Sequence, residues 1–460
     1  MKLQHMESQN QKDYSEKLIR QLINGEFGIE KESLRVDVHG WLAKTPHPNF
    51  EDARISMDFS ESQVELISDV YDHLQGACGE ICFLQGMVEE QIFNRSTGSE
   101  YMWNYSNPPL FAGKDGILIA EFADGNEKKT CYRQYLAEKY GKVKMLYSGV
   151  HLNFSMPKEF FAYLPDEFGT TIQEKKSTWY VKLADALMMD SWLLVALTAA
   201  SPVADESFLE LLGVPKMEWT KYASFRSSKY GYWNFFVPEL AYDDFESYVN
   251  SVERYINQGE ICSIQELYYP IRLKPVGENT LENLRENGVN HIELRMLDLN
   301  PMCCSGVSKR DLIFIHLLIV YRTVEILYKE GVLSWDEVGD LFLLDKKGDG
   351  QTQKICDRFV SDAERILLHQ EAAEIAFWEE HLECKAYALQ LIEDMKGLFG
   401  KYEKMEGCTL PEDYFVMDVL EFEAQKIREP KMRYANQLRE KYGVDYVSMR
   451  MREILGILFN

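Results

Sequence analysis

In the stretch GIEKESLRVD, residues 28–37, side chains alternate with the period of an extended strand, and the alternation puts two carboxylates on one face. Glu30, Glu32, Leu34 and Val36 point one way, while Ile29, Lys31, Ser33 and Arg35 point the other. Acid beside a strand's own aliphatic residues has two ordinary fates. It faces water, as charge on edge strands usually does, or it lines a pocket that needs negative charge.

Three further segments repeat the oddity. ISMDFSESQVELIS aligns Glu61, Gln63 and Glu65 if extended, and keeps Glu61 and Glu65 together even if helical. In SGVHLNFS, Val150, Leu152 and Phe154 form an apolar face opposed by His151, Asn153 and Ser155. In HIELRMLDLNP, Ile292, Leu294 and Met296 are opposed by His291, Glu293 and Arg295. An antiparallel sheet can bring these faces together without helical crossovers. Carboxylates crowded there repel and are pushed up in pKa unless divalent cations sit among them. Oxygen donors with one histidine suit Mg²⁺ or Mn²⁺ better than zinc. A metal floor flanked by arginines can clamp a nucleotide triphosphate and a phosphoryl group in transfer. Four amphipathic strands with wet faces remain the plain alternative.

Charge narrows the partners. Fifty Lys+Arg against 74 Asp+Glu leave a net charge of −24, so nucleic acids and anionic membranes are not expected to bind, and an anionic substrate must be held locally. The N-terminal residues lack the apolar core of a signal peptide. The longest apolar runs, WLLVALTAA and IFIHLLIVY, are about half of what a bilayer requires, so a cytoplasmic location is expected. Nine cysteines with no CxxC pair read as reduced, mostly buried thiols, with Cys303-Cys304 read as packing. No Walker motif and no Gly-rich dinucleotide turn occurs.

The chain changes character near residue 305. Before it, short extended runs such as ARISMDFS and GILIAEF alternate with helices; after it, almost everything reads as helix. Ile375, Trp378, Leu382, Leu389, Ile392 and Phe399 recur as one face of a single long helix. HLEC, residues 381–384, lies on that stripe and reads as structural. DKKGDGQTQ, from Asp345, imitates the start of a calcium loop but carries Lys347 and Cys356 where ligands belong, and reads as a turn. The expected class is α+β, with a catalytic sheet-and-helix region over 1–305 and a helical region over 306–460 packed on it as one unit.

The segments GIEKESLRVD, MDFSESQVELI, YSGVHLNFS, SFRSSKYGY, LYYPIR and IELRMLDLNPM, in this order over residues 20–305, resemble the bacterial glutamate–cysteine ligases. The resemblance implies a curved antiparallel sheet of the glutamine synthetase-like carboxylate–amine ligase type, shaped as a funnel. It implies ATP-dependent joining of the glutamate γ-carboxylate to the cysteine amine through a γ-glutamyl phosphate, the first step of glutathione synthesis. By the same resemblance, Glu30, Glu32, Asp58, Glu65, His151 and Glu293 form the shell for two or three Mg²⁺ or Mn²⁺ ions. Arg295 faces the transferring phosphate, with Glu65 and Glu293 also catalytic; Arg133, Arg226 and Arg272 contact phosphate, substrate or nucleotide; Tyr132, Tyr232 and Tyr268 wall the cysteine pocket. Lys144, Met145 and Tyr147 depart from the best-known branch beside that pocket, which leaves open a same-fold ligase using another amine. A guanidino-type phosphagen kinase and a non-catalytic nucleotide-binding regulator are further alternatives; the tyrosine pocket speaks against the first and the full ligand set against the second. The substrates implied are ATP, L-glutamate and L-cysteine, with room for feedback binding of glutathione, in a monomer or weak oligomer. With no second ATP-binding domain before Asn460, the chain is expected to stop at the dipeptide.

Overall fold

The alternation in residues 28–37 belongs to a long strand, β1 (Glu26–Asp37), which is the axis of the molecule. The computed structural model describes residues 15–95, 98–122, 126–333, 361–443 and 445–456. Six more strands complete a curved antiparallel sheet: β2 (Ile55–Met57), β3 (Gln63–Ile67), β4 (Glu100–Trp103), β5 (Gly149–Ser155), β6 (Ile271–Lys274) and β7 (His291–Asp298). Their order is β2-β3-β1-β5-β7-β6, with β4 paired to the end of β1 beyond β3.

One face of the sheet is sealed by helices. Leu74–Phe93 packs on β1, β3 and β4, and Ile172–Met189 on β6 and β7. Ile29, Leu152, Phe154, Ile292 and Leu294 are buried beneath them, each such side chain contributing about 1.5–3 kcal/mol of burial. The same cluster takes in Leu317, Leu391 and Ile427, so the core runs continuously across residue 305. Lys31 and Arg35 also point to this side; Lys31 donates to Gln85 and Asn104, and Arg35 pairs with Glu100.

The other face is divided, which explains why β1 mixes acid with aliphatic residues. Leu34 and Val36 are capped by a second apolar cluster that includes Phe59, Trp103, Tyr105 and Tyr147, closed by Tyr446 and Met451 from the end of the chain. Tyr105 and Tyr446 stack with ring centroids 4.0 Å apart. Glu30 and Glu32, nearer the middle of the strand, are left to a cavity.

Several sequence expectations change. GILIAEF makes only an isolated bridge from Ile119 to Ser60 rather than a strand. Glu61 sits in the turn before β3, where its carboxylate accepts the N–H groups of His47 and Glu121 at 2.8 and 2.9 Å, so it does not join Glu65. The single long helix is broken. His381, with φ −110° and ψ 71°, separates Phe377–Glu380 from Leu382–Tyr402, and its ring stacks on Phe377. Leu382 is exposed, and the Ile375 N–H bonds to the Lys221 carbonyl outside any helix. The thiols are not mostly buried: Cys78, Cys384 and Cys408 are, whereas Cys82, Cys131, Cys262 and Cys304 are exposed. The calcium-like loop from Asp345, including Lys347 and Cys356, lies outside the described residues. Among the described residues, every regular element after β7 is helical, and no helix is long and apolar enough to cross a membrane.

Candidate active site

Sheet register assembles the polar floor. Glu32 stands opposite Glu65 of β3, and Glu65 opposite Ser56 of β2. On the other side of β1, Glu30 stands opposite His151 of β5. One row further, Asn153 of β5 faces Glu293 of β7, which faces Arg272 of β6. Registered neighbours have Cβ atoms about 4.5–5.5 Å apart, so five strands converge their polar side chains on one cavity of ≈ 240 Å³. It is lined by every residue that the family resemblance marks as metal, phosphate or substrate contact: Glu30, Glu32, Asp58, Glu65, His151, Glu293 and Arg295, with Arg133, Arg226, Arg272, Tyr132, Tyr232 and Tyr268.

His151 is the hub. Its Nδ1 lies 3.3 Å from Glu30 Oε2 and 3.5 Å from Glu293 Oε1, and its Nε2 lies 3.8 Å from Glu32 Oε1. Burial and the neighbouring Arg295 push its pKa down to about 4, leaving a neutral imidazole able to ligate. Asn153 Nδ2 donates to Glu30 Oε1 at 2.9 Å and orients it. Donor atoms of Glu30, His151 and Glu293 lie within 4.8 Å of one another. Glu293 Oε2 is buried with no hydrogen-bond partner; its nearest cations, Lys274 and Arg272, stand at 3.8 and 3.9 Å. Buried polar atoms are rarely left so. An orphaned carboxylate oxygen beside a neutral imidazole and a second carboxylate fits a hard divalent cation.

The carboxylates do not titrate alike. Burial and Asp58 push Glu32 up to about 8, and burial with Asp58 and Glu30 does the same to Glu65. Glu293 is held well below the ordinary range: burial opposes, but Arg295, Lys274 and Arg272 outweigh it. Glu30 is also lowered: burial and repulsion from Glu293 oppose, but the His151 hydrogen bond and the Lys274 charge help to outweigh them. Burial and mutual repulsion thus raise only two of the four glutamates on the floor.

The arginines divide by what else they hold. Arg295 Nη1 donates to Glu293 Oε1 at 2.8 Å. Arg133 Nε donates to the Asp58 carbonyl at 2.8 Å, and its Nη2 lies 3.2 Å from the Asp58 carboxylate. Arg226 donates to the carbonyls of Arg295 and Leu297, and Arg272 to those of Leu267 and Gln265, so both brace the cavity wall as they line it. Gly149 makes room for Arg226: a Cβ there would lie 2.3 Å from Nη2. Tyr232 and Tyr268 pack with centroids 4.1 Å apart, and Arg133 lies over the Tyr132 ring at 5.5 Å. Met145 and Tyr147 line the cavity; Lys144 does not.

Lys274, Gln265 and Asn279 also line the cavity and were not singled out from the sequence. Lys274 had a signal, since IRLK puts it on the same strand face as Arg272. Gln265 comes from the single 3₁₀ turn Ile264–Glu266 and Asn279 from an irregular segment, and neither had one.

A family model described as "Glutamate-cysteine ligase" matches residues 11–262 and 237–330. The chain is 32% identical over 452 residues to a glutathione biosynthesis bifunctional protein of Listeria monocytogenes, covering 95% of this chain and 55% of that one. It is 37% identical over 327 residues to a protein of the same description from Clostridium perfringens, covering 67% and 41%. The chain therefore spans about half the length of these relatives. Two crystal structures share the fold: a bifunctional glutathione synthetase from Pasteurella multocida (TM-score 0.73, 23% identity, 96% of this chain and 54% of that one), and a glutamate–cysteine ligase from Francisella tularensis in complex with AMP (0.70, 22%, 94% and 89%).

Proposed function

The chain belongs to the glutamate–cysteine ligase family, and from that premise we propose that it joins the γ-carboxylate of glutamate to the amine of cysteine, converting ATP to ADP and phosphate. The observation that carries this reading is the floor itself: an orphaned Glu293 oxygen, a neutral His151 and Glu30 on one side, and Arg295, Arg133 and Arg226 around the same cavity. A bare carboxylate is a poor acylating agent, because amine attack would have to expel oxide. Phosphorylating it first supplies a leaving group.

Glu30, His151 and Glu293 would hold one divalent ion, with Glu32, Asp58 and Glu65 placed to hold more. Bound Mg²⁺ or Mn²⁺ supplies charge neutralisation between the polyphosphate and the attacking carboxylate. Arg295, fixed by Glu293, presents its remaining N–H groups to the cavity, where a transferring phosphoryl group gains from a planar donor fork. Arg133 and Arg226 add positive charge that draws in the anionic substrates. Arg272, held by the Leu267 and Gln265 carbonyls, adds a guanidinium that can help hold the nucleotide. Tyr132, Tyr232 and Tyr268 form an aromatic wall suited to a small polarizable thiol, and exclude water from the amine as it attacks. Product feedback by glutathione and a monomeric or weakly associated state belong to the same reading.

The second reading, the same phosphoryl chemistry with a different small amine, is favoured by Met145 and Tyr147, which form part of the cavity lining. The test is the mass of the product formed from ATP, glutamate and a mixture of amino acids. γ-Glutamylcysteine with ADP and phosphate in equal amounts supports the main reading. Another γ-glutamyl amide supports the second, and AMP with pyrophosphate overturns the phosphorylated intermediate.

A further inference from the structure

Three separate segments carry the tyrosines of the aromatic wall. Tyr132 belongs to the helix Glu127–Tyr140, Tyr232 to an irregular stretch, and Tyr268 to the residues just after the 3₁₀ turn Ile264–Glu266. None of the three lies in a strand, so sheet register does not set their spacing. A wall assembled from three segments keeps its shape only where something ties them together.

The tie is Glu266, a fully buried carboxylate that does not itself line the cavity. Its Oε1 accepts from the Tyr140 hydroxyl at 2.7 Å and from the Lys139 ammonium; its Oε2 accepts from the Tyr135 hydroxyl at 3.0 Å and from the Cys262 N–H at 2.7 Å. Three of these four donors come from the last two turns of the helix that bears Tyr132. Burial opposes the charge, but the Lys139 bond, the Cys262 N–H and the Tyr140 hydroxyl outweigh it and hold the carboxyl below its ordinary range. The bonds to Glu266 are therefore charge-assisted.

Asn234 brings in the third segment. It is buried two residues after Tyr232; its Oδ1 accepts the Tyr268 N–H, and its Nδ2 donates to the Tyr140 hydroxyl and to the Glu266 carbonyl, each bond 2.9 Å long. The Tyr140 hydroxyl accepts from Asn234 and donates to Glu266, and so stands where all three segments meet. Ring contacts carry the order on to the wall. Tyr140 meets Tyr268 edge-on at 5.2 Å, Tyr268 packs against Tyr232, and Tyr135 stacks on Tyr132 at 6.3 Å. A buried polar network whose members are satisfied in this way holds its surroundings rigid.

We infer that Glu266, acting with Asn234 through the Tyr140 hydroxyl, is the positioning residue of the acceptor pocket: it fixes the spacing of Tyr132, Tyr232 and Tyr268, and with it the hold on the incoming amino acid. The inference rests on the ligase reading and deepens it, because it assigns the selection of the amine to residues apart from the phosphoryl chemistry. Glu30, His151, Glu293 and Arg295 are placed by β1, β5 and β7 instead.

Wild type, Tyr140→Phe and Glu266→Gln are assayed with ATP, Mg²⁺ and glutamate, first with the amino acid that the wild type accepts (cysteine in the main reading), then with hydroxylamine. Hydroxylamine is too small to need the wall. Its nitrogen takes the γ-glutamyl group, phosphate leaves, and the nitrogen's proton goes to the phosphate. Tyr140→Phe removes the shared hydroxyl and keeps the ring, so it disturbs the fold least. Losing that hydroxyl's bonds should raise KM for the amino acid by about three- to tenfold with kcat little changed. Glu266→Gln, which turns an amide N–H₂ toward other donors, should raise it further. In both variants, KM for glutamate and ATP and the rate of hydroxamate formation should stay at the wild-type values. Parallel falls in amide and hydroxamate formation, or an unchanged KM for the amino acid in Tyr140→Phe, would overturn the positioning role and leave the ligase reading standing. A wild type that forms neither amide nor hydroxamate would remove the ligase reading, and the positioning role with it.

Discussion

On the β2–β3 side of the floor, Glu32, Glu65 and Asp58 confront one another with Arg133 paired to Asp58 alone, and two of the three carboxyls are pushed up to about 8. On the β5–β7–β6 side, Glu30 and Glu293 sit among His151, Arg295, Lys274 and Arg272 and stay ionised. Similar acids on one sheet face are thus under opposite stress. The first side stores repulsion that incoming cations can release. The second is already compensated, and its Glu293 also holds Arg295 in place. In the proposed function the two kinds divide the work, the first supplying affinity for metal and the second geometry.

The sharpest way to break this contrast is to remove one charge from each side and keep the shape. Glu293→Gln leaves Arg295, Arg272 and Lys274 facing a neutral amide, and losing one partner of a buried ion pair costs about 3–5 kcal/mol. Urea unfolding in chelator should show that loss. Glu65→Gln, on the strained side, should leave the metal-free protein equally stable or slightly more so while abolishing most activity. Equal destabilisation by both substitutions would erase the distinction.

Arg295→Lys tests the geometric half. Lysine keeps the charge but loses the planar fork that spans two oxygens, and loss of one such donor typically costs ~10²–10³ in rate. The expected outcome is a fall in kcat with KM for glutamate and cysteine little changed. Normal turnover would reduce Arg295 to a structural partner of Glu293. The affinity half is read from ligand-induced stabilisation. Mg²⁺ with nucleotide at a hundredfold excess over Kd should stabilise the wild type by about 2.7 kcal/mol, and Glu65→Gln distinctly less. A full response in the variant would place Glu65 outside the metal shell.

The faces of β1, β5 and β7 were legible because strand periodicity is a local property: Glu30, Glu32, His151, Glu293 and Arg295 announce themselves by alternation. The division of the floor was not. It depends on Glu32 standing opposite Glu65 while Glu30 stands opposite His151, pairings between residues far apart in the chain. Lys274, whose charge helps keep Glu293 ionised, shares a strand face with Arg272 in IRLK, but only the pairing of that short strand with β7 brings it to Glu293. Glu61 misled for the converse reason, since its spacing from Glu65 is right for either regular structure and the chain adopts neither there. The helix read from Ile375 to Phe399 failed because hydrophobic spacing survives a break: the His381 backbone turns out of the helix, and a new stripe through Cys384, Leu391 and Met395 takes over.

The smallest effect expected is a pH dependence, and it distinguishes the two sides without any ligand. Glu32 and Glu65 stay protonated in the folded metal-free chain up to about pH 8, whereas an unfolded glutamate ionises near 4.5. The folded state then holds protons that the unfolded state has released. Stability from these groups is complete below pH 4.5 and is lost as pH rises through 8. Other groups slope the opposite way in parts of this window. Burial depresses His151 and His369 below 6.5, so their contribution grows up to that pH, and the lowered pKa of Lys31 adds stability above about 7. The difference between wild type and Glu65→Gln removes these shared slopes. Just above pH 4.5 a protonated Glu65 and a glutamine are equivalent, and the two melting temperatures should agree. From there up to about pH 8 the unfolded wild type releases a proton that Glu65, buried beside Asp58 and Glu30, keeps in the folded chain, so the wild type should melt below the variant by a gap that widens with pH. A gap that is constant, or that narrows, would mean that Glu65 is ionised throughout, and the two halves of the floor would then be compensated alike.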